Sequence, residues 1–338
     1  MPKVIFDKKN VLVTGGAGFI GSHLCDELLR EAKVICVDNF SSSSETNIDH
    51  LLSNPDFIFI NHDLSYPLDL EAIPEIKKFK IAFQGIQEVY HLACPMSTKN
   101  FMDNRLGTLL ANSYATKNAL DIAAKYGAKF LHFSSSVVYG PRLEGGEKIK
   151  ETYVGAVDPL SPRSSYDEGK RFAESLVSNY RQIYNIDAKI IRLFRTYGPR
   201  MPLNDEQMIP DFIANALDGQ DLVIFGNEDF SSSFCYVEDV IDGALKMMSS
   251  PLSGPVNIGS DEDVKISEVA RIIIEETGAS SKITYGEQKL FMSELPLPDI
   301  FVAKNELAWM PVVTLKNGLK KTIFDLQAKR QMRGLGIN

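Results

Sequence analysis

The sequence lacks what would commit it to a membrane, a nucleic acid or a metal. No apolar run approaches the roughly 20 residues that a membrane-spanning helix needs, and the opening stretch, Met1 to Asp7, has no signal-peptide core. Neither a membrane span nor a secretory leader is therefore expected, and the scattered cysteines described below lead us to expect a cytoplasmic chain. Positive charge is in deficit, with 36 Lys and Arg against 44 Asp and Glu, a net charge of -8. That balance argues against nucleic acid or an anionic membrane as partner. Cysteine is sparse: Cys25, Cys36, Cys94 and Cys235 are scattered without metal-ligand spacing. Cys25 and Cys36 fall on apolar faces and read as free, reduced core thiols. His23, His50, His62, His91 and His132 show no ligand spacing either, so no metal is expected. No fixed-period repeat is visible, which excludes solenoids and propellers.

What remains is an ordinary globular composition. At 338 residues, 44% hydrophobic and 24% charged, the chain suits one large α/β domain with a smaller lobe. It is organised around Lys9 to Leu24. Val11 to Thr14 reads as a short buried strand, and Gly15, Gly18 and Gly21 follow with G-x-x-G-x-x-G spacing. Phe19 and Ile20 open an amphipathic helix that runs to Arg30. Gly15 permits the tight turn, Gly18 lets backbone N–H groups approach a pyrophosphate, and Gly21 lets the helix lie against the strand. A second strand, Lys33 to Val37, ends at Asp38, about 20 residues past the glycines, where an acid accepts the ribose hydroxyls of an adenosine.

The loop Asn39 to Ser44 is expected to fold over the adenosine end, with Asn39 and Ser43 as contacts. Phe57 to Ile60 is a third strand leading to Asp63 and Leu64. There Asp63 either meets the adenine amino group or caps its own loop. Residues 65–85 read as a helix with a loop. Val89 to Ala93 is the fourth strand, and small Ala93 at its carboxyl end leaves room for a cofactor. Thr108 to Tyr126 has helical periodicity, and Phe130 to Phe133 is a fifth strand running into Ser134-Ser135-Ser136. A helix follows Ser161, with Phe172, Leu176, Tyr180 and Ile183 on one apolar face. Ala188 to Phe194 is the sixth strand. This alternation predicts a doubly wound parallel sheet of the Rossmann type. Residues 1–200 form the dinucleotide-binding domain and 201–330 a smaller α/β lobe, with parts of 222–260 able to return to the sheet.

Tyr166 and Lys170 lie one turn apart on one helix face. An ammonium beside a phenol favours phenolate and makes a tyrosine a usable base near neutrality. The hydroxyl of Ser135 is placed to share the substrate proton. Asp38 would repel a 2′-phosphate, and Asn39 to Ser44 offers no Lys or Arg to receive one, so NAD is expected over NADP.

These residues resemble a family. The chain is similar to the extended short-chain dehydrogenases/reductases of the NAD-dependent epimerase/dehydratase type, and most similar to UDP-glucuronate decarboxylases (UDP-xylose synthases). The resemblance spans essentially the whole chain. It is carried by Val13 to Leu24, His91-Leu92-Ala93-Cys94-Pro95, Arg163 to Arg171, Thr196 to Met201, Ser233 to Asp239, Gly254 to Gly259, Pro298-Asp299-Ile300 and Leu307 to Pro311. It implies tightly held NAD, oxidation of a nucleotide sugar (a UDP-sugar foremost) at C4 with Tyr166 as base, and loss of carbon dioxide from the 4-keto uronate. Pro95 and Ser136 become substrate contacts. It also implies a homodimer built from a four-helix bundle, using the segments near 101–125 and 164–184.

Four positions depart from that pattern. The glutamate tied to decarboxylation is Val137, and the Arg-Lys before Pro-Asp-Ile is Pro296-Leu297. The arginine that meets the diphosphate is Ser232, and the asparagine that touches the substrate phosphate is Arg195. Val137 fits a nucleotide-sugar 4-epimerase as an alternative, with an NAD-binding non-catalytic subunit as a second. The paired changes lead us to expect Arg195, with Arg200 as helper, to supply the missing charge to the diphosphate. The competing expectation is that Arg195 faces solvent or pairs with Asp205 or Glu206.

Overall fold

The computed structural model describes residues 8–95, 104–203, 207–287 and 294–334, with side chains to residue 331. Its centre is a parallel sheet of seven strands: β1 (Lys9–Thr14), β2 (Ala32–Asp38), β3 (Phe57–Asn61), β4 (Glu88–His91), β5 (Lys129–Ser135), β6 (Ala188–Leu193) and β7 (Pro255–Ile258). The order is β7-β6-β5-β4-β1-β2-β3, every neighbouring pair parallel. Strands buried on both faces need apolar residues at successive positions, and β1 supplies them. Val11 and Val13 pack into one core layer, whereas Leu12 packs into the other. The sequence runs outward from β1 to β3 and restarts at β4 on the other side of β1. Ligands in such sheets bind at this switch point, beyond the carboxyl ends of the strands.

On one face lie α1 (Phe19–Leu28) and the helix Val237–Ser249; their Leu24, Cys25, Val240 and Ala244 share a core with Val11 and Val13. The other face is covered by Arg105–Leu110, a π-helical turn Ala111–Ala115, Thr116–Tyr126, and the long helix Ser164–Tyr184. The lobe beyond residue 207 contributes Met208–Leu217, Ile266–Thr277 and two-stranded pieces such as Leu222–Phe225 with Ile283–Gly286. β7 leaves that lobe and pairs with β6, Val256 opposite Ile191.

The structure corrects three readings of local structure. Residues 65–85 hold short turns, Leu70–Ala72, Pro74–Phe79 and Ile81–Gln84, because Pro74 and left-handed Lys80 (φ 53°) interrupt any longer helix. The sixth strand stops at Leu193. The helix Ser164–Tyr184 turns a different stripe inward: Tyr166, Lys170, Ala173, Val177 and Tyr180 are buried, whereas Phe172 and Ile183 are more than half exposed. Both stripes are apolar enough to bury, and the one that carries Lys170 faces the sheet.

Candidate active site

The glycine turn after β1 is a cradle that side chains would fill. Gly15 has φ 74°, and a Cβ there would meet the Ala93 backbone N at 2.7 Å; one on Gly21 would stand 2.2 Å from the Gly15 carbonyl oxygen. Gly18 N-caps α1 without a side-chain bond, leaving the first N–H groups of the helix, at Phe19 and Ile20, for an anion. Asp38 ends β2 directly beside this turn. Its carboxylate accepts from Ala17 N (3.0 Å), Phe40 N (3.0 Å) and Ser43 Oγ (2.7 Å). A carboxylate has about four acceptor positions, so one is left for a ribose hydroxyl. Cradle, helix end and acid together fit a dinucleotide.

Tyr166, Lys170 and Ser135 converge at the ends of β4 and β5. Tyr166 is buried, and its hydroxyl is hydrogen-bonded to Ser135, the last residue of β5. Lys170, one turn on and also buried, donates from Nζ to the Phe133 carbonyl oxygen at 2.9 Å, with its ammonium 5.9 Å from the Tyr166 ring centroid. Sequence reasoning expects the lysine to lower the tyrosine's pKa. Burial prevails instead and pushes the phenol well up, with Cys94 adding to the rise; the Ser135 bond and the Arg163 charge pull the other way. The phenol therefore rests protonated. Cys94 receives a hydrogen bond from Asn112 Nδ2 at 3.2 Å, and burial pushes its thiol up. Asn112 sits in the π-helical turn, the kind of insertion that re-aims a side chain at functional sites. Val137 packs with Tyr166, Cys94 and Leu295 in a small apolar cluster.

The sequence pattern of the NAD dependent epimerase/dehydratase family matches residues 11–259, which include the cradle, Ser135, Tyr166 and Lys170. The chain belongs to that family. It is 38% identical to UDP-glucuronic acid decarboxylase 1 of Xenopus tropicalis over 94% of this chain and 72% of the relative. Among solved structures it is similar to UDP-glucose 4-epimerase from Thermotoga maritima (26% identity, TM-score 0.82, 95% of this chain and 99% of that one). It is also similar to UDP-glucuronic acid 4-epimerase from Bacillus cereus, solved with UDP-glucuronic acid and NAD (27% identity, TM-score 0.80, 95% and 99%). NAD is thus the family's cofactor, and the cradle described above suits it.

The remaining candidates are distributed as follows. Ser43 reaches the site through Asp38, whereas Asn39 is exposed and accepts from Ser41 N at 3.0 Å within its own turn. Asp63 is exposed and accepts from Ser65 N at 2.9 Å, the geometry of a loop cap. Leu64 is buried, and its carbonyl accepts from Asn118. Ser136 and Pro95 are buried beside Ser135 and Cys94 in the chain. Arg200 is drawn elsewhere: left-handed (φ 67°), it pairs with Asp26 of α1 at 2.7 Å and approaches His50 at 3.5 Å, while its N–H donates to Asp325. It cannot help at a diphosphate from there.

Arg195 is half-buried against Phe234, its guanidinium 5.8 Å from that ring, and its buried Nε has no hydrogen-bond partner among the described residues. Burial, and behind it the charge of Arg163, pulls it down to about 10. Asp205 and Glu206 lie outside the described residues. Sequence reasoning passed over Arg163, whose charge acts on both Tyr166 and Arg195 and which pairs with Asp167 at 3.5 Å. Its position three residues before Tyr166 on the same helical face was the available signal.

Proposed function

We propose that the chain is an NAD-dependent nucleotide-sugar enzyme that oxidises its substrate at C4 and acts on the 4-keto sugar. The observation that carries this reading is Tyr166 bonded to Ser135, with Lys170 beneath, at the sheet edge that also holds the glycine cradle. NAD, when bound, accepts and returns the C4 hydride. Tyr166 takes the C4 hydroxyl proton on its phenolic oxygen, and Ser135 shares that proton across its hydrogen bond. Phenolate, favoured by Ser135 and Arg163, begins the oxidation; the protonated phenol, favoured by burial, returns the proton to the sugar oxygen. Lys170, tethered to Phe133, holds positive charge under the ring.

Likeness to the decarboxylases favours a UDP-glucuronate that loses carbon dioxide from its 4-keto form. A second reading, 4-epimerisation, is favoured by Val137, which packs on Tyr166 without offering an acid. Mass spectrometry of products from a panel of UDP-sugars decides between them. Loss of carbon dioxide supports the first, and a changed sugar of unchanged mass supports the second. No product from any of them, with NAD bound, leaves a non-catalytic NAD-binding subunit.

The same proposal includes a homodimer in a reducing, cytoplasmic setting. Support for the dimer comes from Leu106, Tyr114, Phe172, Ile183 and Tyr184, apolar residues more than half exposed on the paired helices 105–126 and 164–184. The compartment is supported by the four cysteines, all free.

A further inference from the structure

A cleft of about 440 Å³ lies on the face of β6 that meets the helix Ser164–Tyr184. None of its lining residues belongs to the glycine cradle or to the group Tyr166, Lys170 and Ser135. Its floor is apolar: Ala188 and Ile190 alternate onto this face of β6 and meet Val177 of the helix. The helix makes one wall, from Arg171 to Arg181, about 15 Å of helical rise. Its lining positions 171, 174, 178 and 181 form a stripe separate from exposed Phe172 and Ile183. The opposite wall is the loop from Glu151 to Val154, with the entry to β7 at Ser253 to Pro255. Packing fixes that loop, because a Cβ on Gly155 (φ 82°) would stand 2.5 Å from the Val138 carbonyl oxygen.

Most charges around the cleft are already matched. Glu174 forks Arg192 at 2.9 and 2.7 Å and accepts from Ser134 Oγ at 2.6 Å. Arg171 donates from Nη1 to the Val138 and Val154 carbonyl oxygens at 2.9 and 3.1 Å, with Glu168 3.7 Å from its Nε. Glu151 accepts from Asn257 N at 3.0 Å. Arg181 differs. It donates from Nη1 to the Ser253 carbonyl oxygen, and among the described residues no carboxylate stands within ion-pair distance of it. Ser178, on the same stripe and one turn back, adds a hydroxyl to that end of the cleft.

We propose that this cleft is a second small-molecule site, separate from the cofactor and sugar site, which takes an organic monocarboxylate with an apolar body. The carboxylate sits on Arg181 and Ser178, and the body lies along Val177, Ala188 and Ile190. The volume falls in the range of small-molecule pockets, roughly 300–1,000 Å³. A guanidinium fork matches a carboxylate through two parallel N–H donors. One unmatched cation suits one negative charge, and a second charge on the ligand would be repelled by Glu151. The occupant also has a route to the chemistry. Two lining residues hold the chain on either side of Ser135, Glu174 at Ser134 and Arg171 at Val138, so a ligand that shifts either bond is felt at Ser135.

The test uses the full chain with NAD bound and phenylacetate as probe, with acetate and phenylacetamide as controls for the missing body and the missing charge. Calorimetric titration should show phenylacetate binding about tenfold or more tightly than either control, and Arg181→Met should remove about tenfold of that affinity, the worth of one charge-assisted pair. Ser178→Trp, which fills the cleft and keeps the arginine, should abolish binding. Both variants should retain the parent's NAD affinity and melting temperature. Hydrogen exchange on adding phenylacetate should slow in the loop 151–155. No phenylacetate binding at millimolar concentration, affinity equal to that of acetate, or unchanged affinity in Arg181→Met overturns the proposal. So does slowed exchange confined to the Gly15 to Gly21 turn, which would put the carboxylate in the cofactor site. If a dipeptide, acetyl-alanyl-phenylalanine, binds far more tightly than phenylacetate, the occupant is a chain end and the small-molecule assignment is wrong.

Discussion

Lys170 Nζ donates to the carbonyl oxygen of Phe133 at 2.9 Å, which fastens the helix Ser164–Tyr184 to β5 two residues before its end. That bond helps bring Tyr166 and Ser135, 31 positions apart in the chain, within hydrogen-bonding reach. A second tie lies one turn further along. Glu174 accepts from Ser134 Oγ at 2.6 Å and holds Arg192 of β6 with a fork of 2.9 and 2.7 Å. The geometry around Tyr166 is thus set by bonds between a helix and two adjacent strand ends.

Replacing Tyr166 by Phe removes only the phenolic oxygen. Turnover should fall by about 10²–10⁴-fold, the usual worth of a positioned acid–base group, while NAD affinity and melting temperature hold. Hydride transfer followed by nicotinamide absorbance gives the rate. Activity surviving within about tenfold, roughly 1.4 kcal/mol of barrier, would remove Tyr166 from its role.

The cradle and Asp38 make two expectations about the cofactor. NAD should bind more tightly than NADP in titration, and Asp38→Ala should narrow that preference, since a carboxylate beside the glycine turn would repel a 2′-phosphate. Gly21→Ala should abolish binding of both and destabilise the fold by about 1–3 kcal/mol, the usual cost of overpacking, because its Cβ would stand 2.2 Å from the Gly15 carbonyl oxygen. A variant with normal NAD affinity would show that the turn is not the binding site.

His91 and His132 face each other across β4 and β5 with ring centroids 5.6 Å apart. His91 is hydrogen-bonded between Thr14 (2.7 Å) and Thr116 (3.0 Å), but neither nitrogen of His132 has a partner among the described residues. Burial pulls His91 down to about 3 and His132 well below its ordinary value, so both stay neutral in the fold. The unfolded chain protonates them near 6.5, so it gains protons that the native state refuses, and stability drops as pH falls from about 6.5. Asp167, raised to about 6 by burial, acts in the opposite direction between about 6 and 4. The clean comparison is therefore between variants. His132→Leu should raise the melting temperature at neutral pH and reduce the acid slope by about 1.4 kcal/mol per pH unit. An unchanged slope in melts from pH 7 to 4.5 would contradict this.

A homodimer that buries Leu106 and Phe172 should sediment at twice the chain mass at micromolar concentration. Changing both to Glu should give folded monomer, because these side chains are exposed in the single chain and the proposed partner would bury them. A parent protein that sediments as monomer ends the proposal.

Much of the fold was legible in the sequence because its signals are local. Buried parallel strands need continuous apolar runs, helices need a 3.6-residue period, and a turn that lets backbone meet pyrophosphate needs Gly15, Gly18 and Gly21 at fixed spacing. Those patterns sufficed for the doubly wound sheet, the cradle, Asp38 and the Tyr166–Lys170 stripe. The tertiary structure decided what depends on distant groups. The inward face of Ser164–Tyr184 followed from which of two apolar stripes met the sheet. Arg200 went to Asp26 because a partner absent from any local pattern claimed it, whereas Asp63 took the loop cap that the sequence had offered as one of two alternatives. The protonated state of Tyr166 and the downward pull on Arg195 were likewise beyond the sequence. Both are set by burial, a sum over every atom packed around a group, and that sum exists only once the chain has folded.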